Sequence, residues 1–285
     1  MGSFDLAAWT APRRETLDRL LLGLFADAWP APFTDMCLHP LRGRGKLIRP
    51  LLVVASFEAI AGEGAELSGV LPFAAALELI HTYSLVHDDM PCMDDDNFRR
   101  GRPTTHVLYG EAFGLLVGDA LLTEAFRLAS EPRIDPGLQL KVVFELARAA
   151  GYHGMIGGQA ADLGAAGPVR DIETLTRLHA GKTGALIVAA ARVGALVAGA
   201  SERQLQLAAD YAERVGLAFQ LADDVLDLEQ DAGEKGPPSF PKLLGVDETR
   251  ARAEALSRQA MALAGELPWP DALVALAHYA VNRQD

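Results

Sequence analysis

Apolar residues recur at helical spacing along nearly the whole chain, and the alternation typical of strands is almost absent. Leu17, Leu20, Leu21, Leu24 and Phe25 mark a first helix. A second helix is predicted from Arg49-Pro50, with a proline in its first turn, to a stop at Gly62. Further helices are predicted at about 66–87, 105–130, 137–162, 171–181, 185–198, 202–227, 248–264 and 271–281. The pattern therefore predicts an all-α fold.

Composition limits the kinds of protein that this chain can be. It has 285 residues, half of them hydrophobic, and no Pro/Gly/Ser-rich linker, which predicts one domain over residues 1–285 with a sizeable core. A net charge of -12 argues against nucleic acid or an anionic membrane surface as the main partner. Cys37 and Cys92 form neither a disulfide framework nor a metal-binding spacing, so a cytoplasmic protein is expected. We expect no signal peptide in residues 1–10, and no transmembrane helix because no uninterrupted apolar span of about 20 residues occurs.

Two acidic clusters follow apolar stretches in different halves of the chain. Their carboxylates are Asp88, Asp89 and Asp94 in the first cluster and Asp223, Asp224 and Asp227 in the second. Carboxylates beside a core are costly unless a cation neutralises them. Oxygen ligands without a nearby His/Cys set are typical of Mg²⁺, which completes its coordination shell with water and substrate phosphate. The clusters therefore predict an enzyme that handles diphosphates with Mg²⁺.

The helical period decides how these carboxylates can converge. Asp223 and Asp227 are four residues apart and share one helix face, and Asp224 lies about 100° round the helix, close enough to reach a shared ion. In the first cluster Pro91 must break or bend the helix, so we expect Asp94 to reach the site by a local detour.

A solvated acidic face is the alternative interpretation for either cluster alone. The pattern occurs twice, however, and apolar residues expected in the core interleave with the second cluster: Phe219, Leu221, Val225 and Leu226. We therefore favour metal ligands.

Three basic sites accompany the clusters. Arg99 and Arg100 follow the first cluster, where they could clamp a phosphate or form structural ion pairs with Asp95 and Asp96. Lys46 and Arg49 lie three apart at a predicted helix start, which also favours an anion, and Lys182 lies at a predicted helix junction. Three sites suit a pair of substrates that carry two diphosphates.

These motifs together resemble the trans-isoprenyl diphosphate synthases of the polyprenyl synthetase family, of the bacterial farnesyl diphosphate synthase type. They run in family order across most of the chain. The matching stretches are Gly45-Lys46…Arg49-Pro50, His81 to Asp89, Met93 to Asp96 with Arg99-Arg100-Gly101, Gly118 to Leu121, Gly157-Gly158-Gln159-Ala160…Asp162, Lys182 to Leu186 and Phe219-Gln220…Asp223-Asp224…Asp227. The resemblance implies a single all-α domain, a helical bundle around a deep central cavity (the isoprenoid synthase fold), and a homodimer.

The resemblance also implies a role for each motif residue. Asp88, Asp89 and Asp94 hold two Mg²⁺ ions, and Asp223 holds a third with support from Asp224 and Asp227. Arg99 and Lys182 clamp the diphosphate of an allylic substrate, dimethylallyl or geranyl diphosphate. The diphosphate of isopentenyl diphosphate is held by Lys46, Arg49, His81 and Arg100. Thr183 and Gln220 stabilise the allylic cation, which the isopentenyl double bond attacks. Without the motif, His81 would be interpreted as a buried structural histidine.

Product length depends on what closes the cavity below the first aspartates. Tyr83, followed by Ser84, lies five positions before Asp88, more than one helical turn toward the cavity floor. In the family, an aromatic residue near this position together with an Asp-Asp-x4-Asp motif resembles the pattern of synthases that make fifteen-carbon products. We therefore expect farnesyl diphosphate as the main product, with geranyl and geranylgeranyl diphosphate as alternatives.

The chain also departs from the family pattern. The segment 231–241 is shorter than the usual glycine-rich loop, and Pro237 falls where a lysine that reaches the allylic diphosphate would align. Lys235 is a candidate substitute for that lysine, and Leu47 stands where the family often has an arginine.

Two other functions stay open. A class I terpene cyclase would not need the isopentenyl site, and a non-catalytic partner subunit would be expected to lose an aspartate motif.

Overall fold

The structure is a computed structural model that describes residues 4–26, 28–43, 45–131, 134–230 and 238–282. The described residues form α-helices, two π-helical turns and one two-stranded hairpin. The helices are α1 Leu6–Gly23, α2 Ala31–Leu41, α3 Ile48–Ala61, α4 Leu71–Asp88, α5 Thr105–Tyr109, α6 Glu111–Ala129, α7 Pro136–Ala150, α8 Met155–Ala160, α9 Ile172–His179, α10 Ala185–Val197, α11 Glu202–Gln230, α12 Phe240–Leu244, α13 Val246–Ala264 and α14 Asp271–Asn282. The π-helical turns are Ala161–Ala165 and Ala180–Gly184, and the strands are β1 Phe98–Arg99 and β2 Arg102–Pro103. The prediction of an all-α protein is confirmed.

Two helices predicted as continuous are divided in the structure. The 105–130 helix breaks between α5 and α6 at Gly110, whose φ of 88° is a left-handed conformation that favours glycine. The 137–162 helix breaks between α7 and α8, where a Cβ on Gly154 would lie 2.1 Å from the carbonyl oxygen of Ala149. Both breaks are set by glycines in tight backbone turns, which apolar periodicity does not reveal.

Other boundaries also differ from the predicted ones. The helix expected from residue 66 begins at Leu71, because Pro72 occupies its first turn. The helices predicted at 171–181 and 185–198 are joined by the π-helical turn Ala180–Gly184. Helices α2 and α12 were not predicted, since each is short and contains proline.

The chain divides into two compact units. The α4 unit comprises residues 7–51 and 67–143, and the α11 unit comprises residues 1–6, 52–66 and 144–285. Each is named after the helix that carries its acidic cluster. The prediction of one domain over 1–285 stays a prediction.

In the α4 unit, helix α6 packs along α4, and most of α4 is buried. The two helices approach closely at Gly118, where a Cβ would lie 2.0 Å from Nε2 of His87. This space lets His87 Nε2 come within 3.1 Å of the carbonyl oxygen of Leu115. The glycine thereby fixes the end of α4 that carries the first acidic cluster.

In the α11 unit, the long helix α11 packs against α10, α13 and α14. The buried hydroxyl of Tyr211 donates to the carbonyl oxygen of Leu273 at 2.7 Å, which ties α11 to α14. Helix α10 reaches α3 through Gly194, where a Cβ would lie 2.1 Å from the carbonyl oxygen of Val53. These contacts hold the helix that carries the second acidic cluster.

One continuous helical stretch, Ile172–Val197, is long and apolar enough to cross a membrane by length and composition. Within it, most of α10 is buried inside the α11 unit, including Ile187, Ala190 and Val193. Helix α10 is therefore packed as a core helix of this unit.

Candidate active site

The first acidic cluster lies where α4 ends. Asp89 follows the last residue of α4 and is buried, and Arg99 Nε donates to Asp89 Oδ1 at 2.5 Å. Arg99 Nη2 also donates to Asp96 Oδ2 at 3.1 Å. Burial raises the pKa of Asp89 above its usual value, and the hydrogen bond and charge of Arg99 oppose that rise. The structural ion pair foreseen between Arg99 and Asp96 is present, together with a second pair to Asp89.

The chain after α4 turns back on itself. The amide of Met93 donates to the carbonyl oxygen of Met90 at 2.8 Å, and the amide of Asp94 donates to that of Asp88 at 2.8 Å. The detour that Pro91 was expected to impose on Asp94 is thus confirmed. It returns the backbone of Asp94 to the end of α4, beside two of its predicted partners.

A tight hairpin presents the adjacent arginines. Arg99 of β1 pairs with Arg102 of β2, and the two residues between them, Arg100 and Gly101, have φ of 52° and 72°. Two consecutive left-handed residues are the geometry of a two-residue hairpin turn. The turn places Arg99 and Arg100 in different surroundings although they are adjacent in sequence.

Arg100 packs against the loop that carries Lys46. Its Nη1 donates to the carbonyl oxygen of Gly43 at 3.2 Å, and a Cβ on Gly45 would lie 2.5 Å from the same nitrogen. Arg14 Nη2 on α1 donates to the carbonyl oxygen of Gly45 at 2.7 Å. A side chain at position 45 would therefore displace the Arg100 guanidinium group from its present place.

His81 lies within this basic surrounding on α4. Burial and the charges of Arg49, Arg100 and Arg99 hold the pKa of His81 well below its usual range. The imidazole is therefore neutral near pH 7, and one ring nitrogen carries a proton that can be donated. His81, Arg49 and Arg100, which the resemblance groups around one diphosphate, do lie in one electrostatic neighbourhood.

Backbone strain concentrates at these motifs. The described non-glycine residues with left-handed φ are Leu47, Asp95 and Arg100, at 52°, 55° and 52°. Such conformations cost about 1–2 kcal/mol each for residues with a Cβ and cluster at functional sites. All three flank or belong to the predicted site.

Tyr83, the predicted floor residue, is buried. Its ring packs edge-on against His87, with ring centroids 5.8 Å apart. Burial, followed by the charge of Asp88, raises the pKa of Tyr83 to about 12. Its hydroxyl oxygen has no hydrogen-bond partner in the described part of the chain, so the residue acts as a bulky aromatic group. Ser84 donates its hydroxyl to the carbonyl oxygen of His81 at 2.9 Å.

The second acidic cluster lies in the last turns of α11. Asp224 is buried, and its two oxygens accept from Gln220 Nε2 at 2.7 Å and from the amide of Phe240 at 2.9 Å. The latter bond anchors the first turn of α12. Thr183 Oγ1 donates to Gln220 Oε1 at 3.4 Å. Asp224 thus orients Gln220, which in turn contacts Thr183.

The apolar residues around this cluster are buried to different degrees. Leu221 and Val225 are core residues as predicted, whereas Phe219 and Leu226 are only half-buried. Asp223 is half-buried and Asp227 is exposed. The acidic face is therefore not simply solvated.

Lys182 and Thr183 lie in the π-helical turn Ala180–Gly184. π-Turns are frequent at functional sites because they re-aim side chains within a helix. Lys182 Nζ donates to Asp162 Oδ2 at 2.5 Å, so the aspartate of the Gly-Gly-Gln motif is its partner. A Cβ on Gly158 would lie 2.1 Å from the amide nitrogen of Lys182. Only glycine permits this approach of α8 to the turn.

The donor set fits Mg²⁺. The clustered side chains are carboxylates, the hard oxygen ligands that this ion prefers. Among the residues that the structure describes, no three His, Cys, Asp or Glu side chains converge closely enough to hold a metal ion by themselves. Mg²⁺ is usually held by one or two carboxylates together with water and substrate phosphate, so the arrangement suits an ion that arrives with substrate.

The structure groups the predicted residues in two sets. The α4 unit contains Lys46, Arg49, His81, Tyr83, Ser84, Asp88, Asp89, Asp94, Arg99 and Arg100, and the α11 unit contains Lys182, Thr183, Gln220, Asp223, Asp224 and Asp227. Their roles stay predictions. Lys235 and Pro237, on which the predicted loop departure rests, lie outside the described residues.

Sequence reasoning gave no role to two charged residues of this site. Arg14 holds the backbone of the Lys46 loop, and no local signal on α1 reveals it. Asp162 pairs with Lys182, and the Gly157–Asp162 motif is the sequence signal for it.

Comparison with known proteins agrees with this geometry. A solved FPP/GFPP synthase structure from Zymomonas mobilis matches 97% of this chain and 98% of its own, with a TM-score of 0.88 and 37% identity. The described helices thus form the all-α isoprenoid synthase fold of that protein. The polyprenyl synthetase family model matches residues 30–264. The chain belongs to the polyprenyl synthetase family.

Curated relatives define the activity more closely. The chain is 39% identical to a geranylgeranyl diphosphate synthase of Cyanophora paradoxa over 99% of this chain and 98% of that protein. It is 43% identical to the farnesyl diphosphate synthase of Escherichia coli (strain K12) over 84% of this chain and 85% of that protein. The protein is therefore an enzyme, a short-chain trans-prenyl diphosphate synthase.

We expect Gly158→Ala to lower kcat by about 10- to 100-fold, because the new methyl group displaces the π-turn that positions Lys182 and Thr183. Steady-state kinetics of prenyl transfer would measure the loss, and thermal unfolding would check that the variant folds. The matched control is Gly184→Ala in the same turn, whose Cβ would meet its nearest neighbour at 3.5 Å, an ordinary contact. Equal losses in both variants would contradict the close-approach argument.

Proposed function

We propose that the protein joins isopentenyl diphosphate head to tail (1'-4) to dimethylallyl or geranyl diphosphate and forms mainly farnesyl diphosphate. The observation that carries this product is Tyr83, a buried aromatic side chain one to two helical turns before Asp88 on α4. The family membership and the two aspartate motifs support the reaction class.

The proposal includes Mg²⁺ as cofactor, with three ions per active site. Asp88, Asp89 and Asp94 hold two of them, and Asp223 holds the third with support from Asp224 and Asp227. When bound, the ions draw negative charge from the departing allylic diphosphate. The buried Asp89, fixed by Arg99 at 2.5 Å, supports this assignment because its carboxylate is already oriented.

Two groups of basic residues bind the two diphosphates. Arg99 and Lys182 bind that of the allylic substrate. Both now bond to carboxylates, Asp89 and Asp162, at 2.5 Å, so their charged groups are held in place before substrate arrives. The second group, for isopentenyl diphosphate, consists of Lys46, Arg49, His81 and Arg100. A neutral His81 suits it, since a ring N–H donates to phosphate without bringing another charge among the arginines.

The reaction needs stabilisation of positive charge at carbon rather than a protein nucleophile. The allylic carbon–oxygen bond breaks with both electrons leaving on the diphosphate, and the isopentenyl double bond then forms the new carbon–carbon bond. The departed diphosphate accepts the proton that is lost. Thr183 Oγ1 and Gln220 Oε1 offer negative dipoles to the allylic cation, and the Gln220–Asp224 bond fixes the orientation of the amide.

A fifteen-carbon product follows from the rigidity of Tyr83. Its ring contacts His87, whose position is fixed by Gly118 and Leu115 on α6. A growing chain that extends along α4 away from Asp88 would therefore meet a side chain that has little room to move. A twenty-carbon product is the second candidate, because the relative from Cyanophora paradoxa is a geranylgeranyl diphosphate synthase.

We also propose a homodimer. Several large apolar side chains on α6 and α7 are exposed: Phe113, Leu115, Leu116, Leu140 and Phe144. Apolar helix faces of this kind commonly mark association surfaces in soluble proteins, and most oligomers are symmetric.

The cytoplasm is the proposed location, supported by cysteine usage: Cys37 and Cys92 are both free thiols.

The purified protein should convert isopentenyl diphosphate and either dimethylallyl or geranyl diphosphate into farnesyl diphosphate in the presence of Mg²⁺. Mass spectrometry sizes the products, and chelation with EDTA should abolish turnover. Asp88→Asn and Asp223→Asn should each lose activity, since each removes a charged metal ligand. Failure to elongate any of the allylic starters would contradict the proposal. Altered products from an added synthase would then favour a partner subunit, and cyclic hydrocarbons would favour a cyclase.

Tyr83→Ala should lengthen the main product to twenty or more carbons, because it removes the aromatic ring from the chain's path. Tyr83→Phe is the matched control and should keep the fifteen-carbon product, since the hydroxyl has no hydrogen-bond partner among the described residues. Mass spectrometry compares the product lengths of the two variants and of the wild-type enzyme after identical incubations. An unchanged length in the alanine variant would contradict Tyr83 as the floor.

Sedimentation velocity should show the mass of a dimer, about twice the 30.4 kDa of the chain. Leu140→Asp with Phe144→Asp should shift the protein to monomer, because charges in an apolar interface cannot be solvated there. Leu243→Asp, at an exposed leucine on α12, is the control and should stay dimeric. A monomeric wild-type protein at micromolar concentration would contradict the dimer.

A further inference from the structure

Arg14 on α1 is a charged side chain to which the proposed reaction assigns no part. Its Nη2 donates to the carbonyl oxygen of Gly45 at 2.7 Å, although the two residues are 31 positions apart in the sequence. Gly45 is buried, and a buried backbone carbonyl group needs a hydrogen-bond donor. A charged donor makes one of the stronger bonds of this kind. Arg14 therefore holds the backbone at Gly45.

The peptide bond between Gly45 and Lys46 transmits this restraint to the lysine. A peptide group is planar, so the carbonyl oxygen of Gly45 lies in one plane with the amide and Cα of Lys46. Fixing the carbonyl group therefore fixes the plane from which the Lys46 backbone continues. Lys46 is exposed, whereas its neighbours Gly45 and Leu47 are buried. The loop thus presents a charged side chain between two anchored residues.

Leu47 anchors the other side of the lysine. Its φ is 52°, a left-handed conformation that is unfavourable for a residue with a Cβ. Its side chain is buried, and its carbonyl oxygen accepts from the amide of Leu51 at 3.0 Å where α3 begins. A strained conformation persists only where the surrounding structure determines it. The bond from Arg14 to Gly45, two positions earlier, restrains the same turn.

A second guanidinium group contacts this loop from the hairpin. Arg100 Nη1 donates to the carbonyl oxygen of Gly43 at 3.2 Å, and its guanidinium group packs beside Gly45. Arg100 is also a proposed ligand of the isopentenyl diphosphate, so its donors have two uses. Arg14 restrains the loop through a contact that the proposed binding of substrate does not use.

We propose that Arg14 is a positioning residue for isopentenyl diphosphate: by binding the Gly45 carbonyl oxygen, it sets the direction in which Lys46 presents its ammonium group to the diphosphate. The inference rests on the proposed isopentenyl site. Because Arg14 acts through Lys46, its loss should weaken the binding of isopentenyl diphosphate. Binding of the allylic substrate, whose proposed basic ligands are other residues, should change little.

The experiment compares two substitutions of Arg14 in steady-state kinetics with Mg²⁺. Arg14→Met keeps a long apolar stem without donors and should raise KM for isopentenyl diphosphate by about tenfold, as expected for loss of a hydrogen bond from a charged donor. The KM for the allylic substrate and kcat should stay within about twofold of the wild-type values. Arg14→Lys should recover part of the loss, since an ammonium group can donate to the same carbonyl oxygen.

A double-mutant cycle with Lys46→Ala separates positioning from direct attraction. The positive charge of Arg14 would attract a diphosphate whether or not Lys46 is present. If Arg14 acts through Lys46, Arg14→Met should change KM by less than about twofold in the Lys46→Ala background. A full effect of about tenfold in that background would overturn the inference.

Arg19→Met is the matched control on the same helix. Arg19 pairs with Glu15 at 2.9 Å, between two largely exposed side chains, and its loss should leave both KM values unchanged. Thermal unfolding checks that each variant folds. If Arg14 only anchored α1, Arg14→Met would lower the unfolding temperature without a selective rise in KM for isopentenyl diphosphate. That result would overturn the inference.

Calorimetry separates this inference from the proposed reaction. Isopentenyl diphosphate is titrated into the wild-type protein and into Arg14→Met, and we expect an affinity about tenfold lower in the variant. Equal affinities would overturn the inference and leave the proposed reaction untouched. A protein that shows the loss of affinity but forms no prenyl product would retain the inference and contradict the proposed reaction instead.

Two further outcomes of the titration are also decisive. If Arg14→Met does not fold, Arg14→Lys makes the same comparison, with an expected loss of about threefold. Unchanged affinity in Arg14→Lys together with unchanged affinity in the Lys46→Ala variant would overturn the inference, because the lysine would then have no part in binding. Absence of binding to the wild-type protein would overturn both the inference and the proposed isopentenyl site.

Discussion

The ion pair between Arg99 and Asp89 is the contact on which the site in the α4 unit depends. A buried carboxylate costs several kcal/mol unless it is paired and hydrogen-bonded. Arg99 supplies both charge and a donor at 2.5 Å, and it reaches Asp89 because the chain reverses in a two-residue hairpin. The backbone of Asp94 returns to Asp88 within the same connection. Compensation of one buried charge thereby organises the segment between α4 and α5.

In the α11 unit, neutral hydrogen-bond donors instead of a charged side chain compensate the buried carboxylate. Asp224 is buried and accepts from the Gln220 amide and the backbone of Phe240. The hydrogen bonds that satisfy this carboxylate also orient Gln220 toward Thr183 and anchor α12. In both units, a buried acid is thus stabilised by groups that have a proposed part in the reaction. Stability and function share the same contacts there, so substitution of either acid should affect both.

Close approaches at glycines are the second constraint on the geometry of the site. Gly158 allows α8 to approach the π-turn of Lys182, Gly118 makes room for His87 behind Tyr83, and Gly45 makes room for the Arg100 guanidinium. Each would place a Cβ closer to its neighbour than side chains tolerate. The side chains of the predicted site are therefore positioned partly by the absence of other side chains, which explains why small residues recur in the motifs.

The sequence by itself determined the helical class, the positions of most helices and the identity of the chemical groups. Apolar periodicity and paired carboxylates are local properties, so α4 and α11 were predicted close to their observed ranges. The prediction of Mg²⁺ likewise depends only on ligand chemistry. The detour to Asp94 was predictable because proline restricts the backbone locally.

Only the tertiary structure decided which groups meet. The sequence offered Asp95 and Asp96 as partners of Arg99, and the fold added Asp89, because the hairpin turn determines where the guanidinium points. Nor could the sequence reveal that Arg14 on α1 donates to the carbonyl oxygen of Gly45 beside Lys46, since these residues are remote in sequence. Burial and long-range electrostatics depend on how helices pack, and no local pattern encodes them.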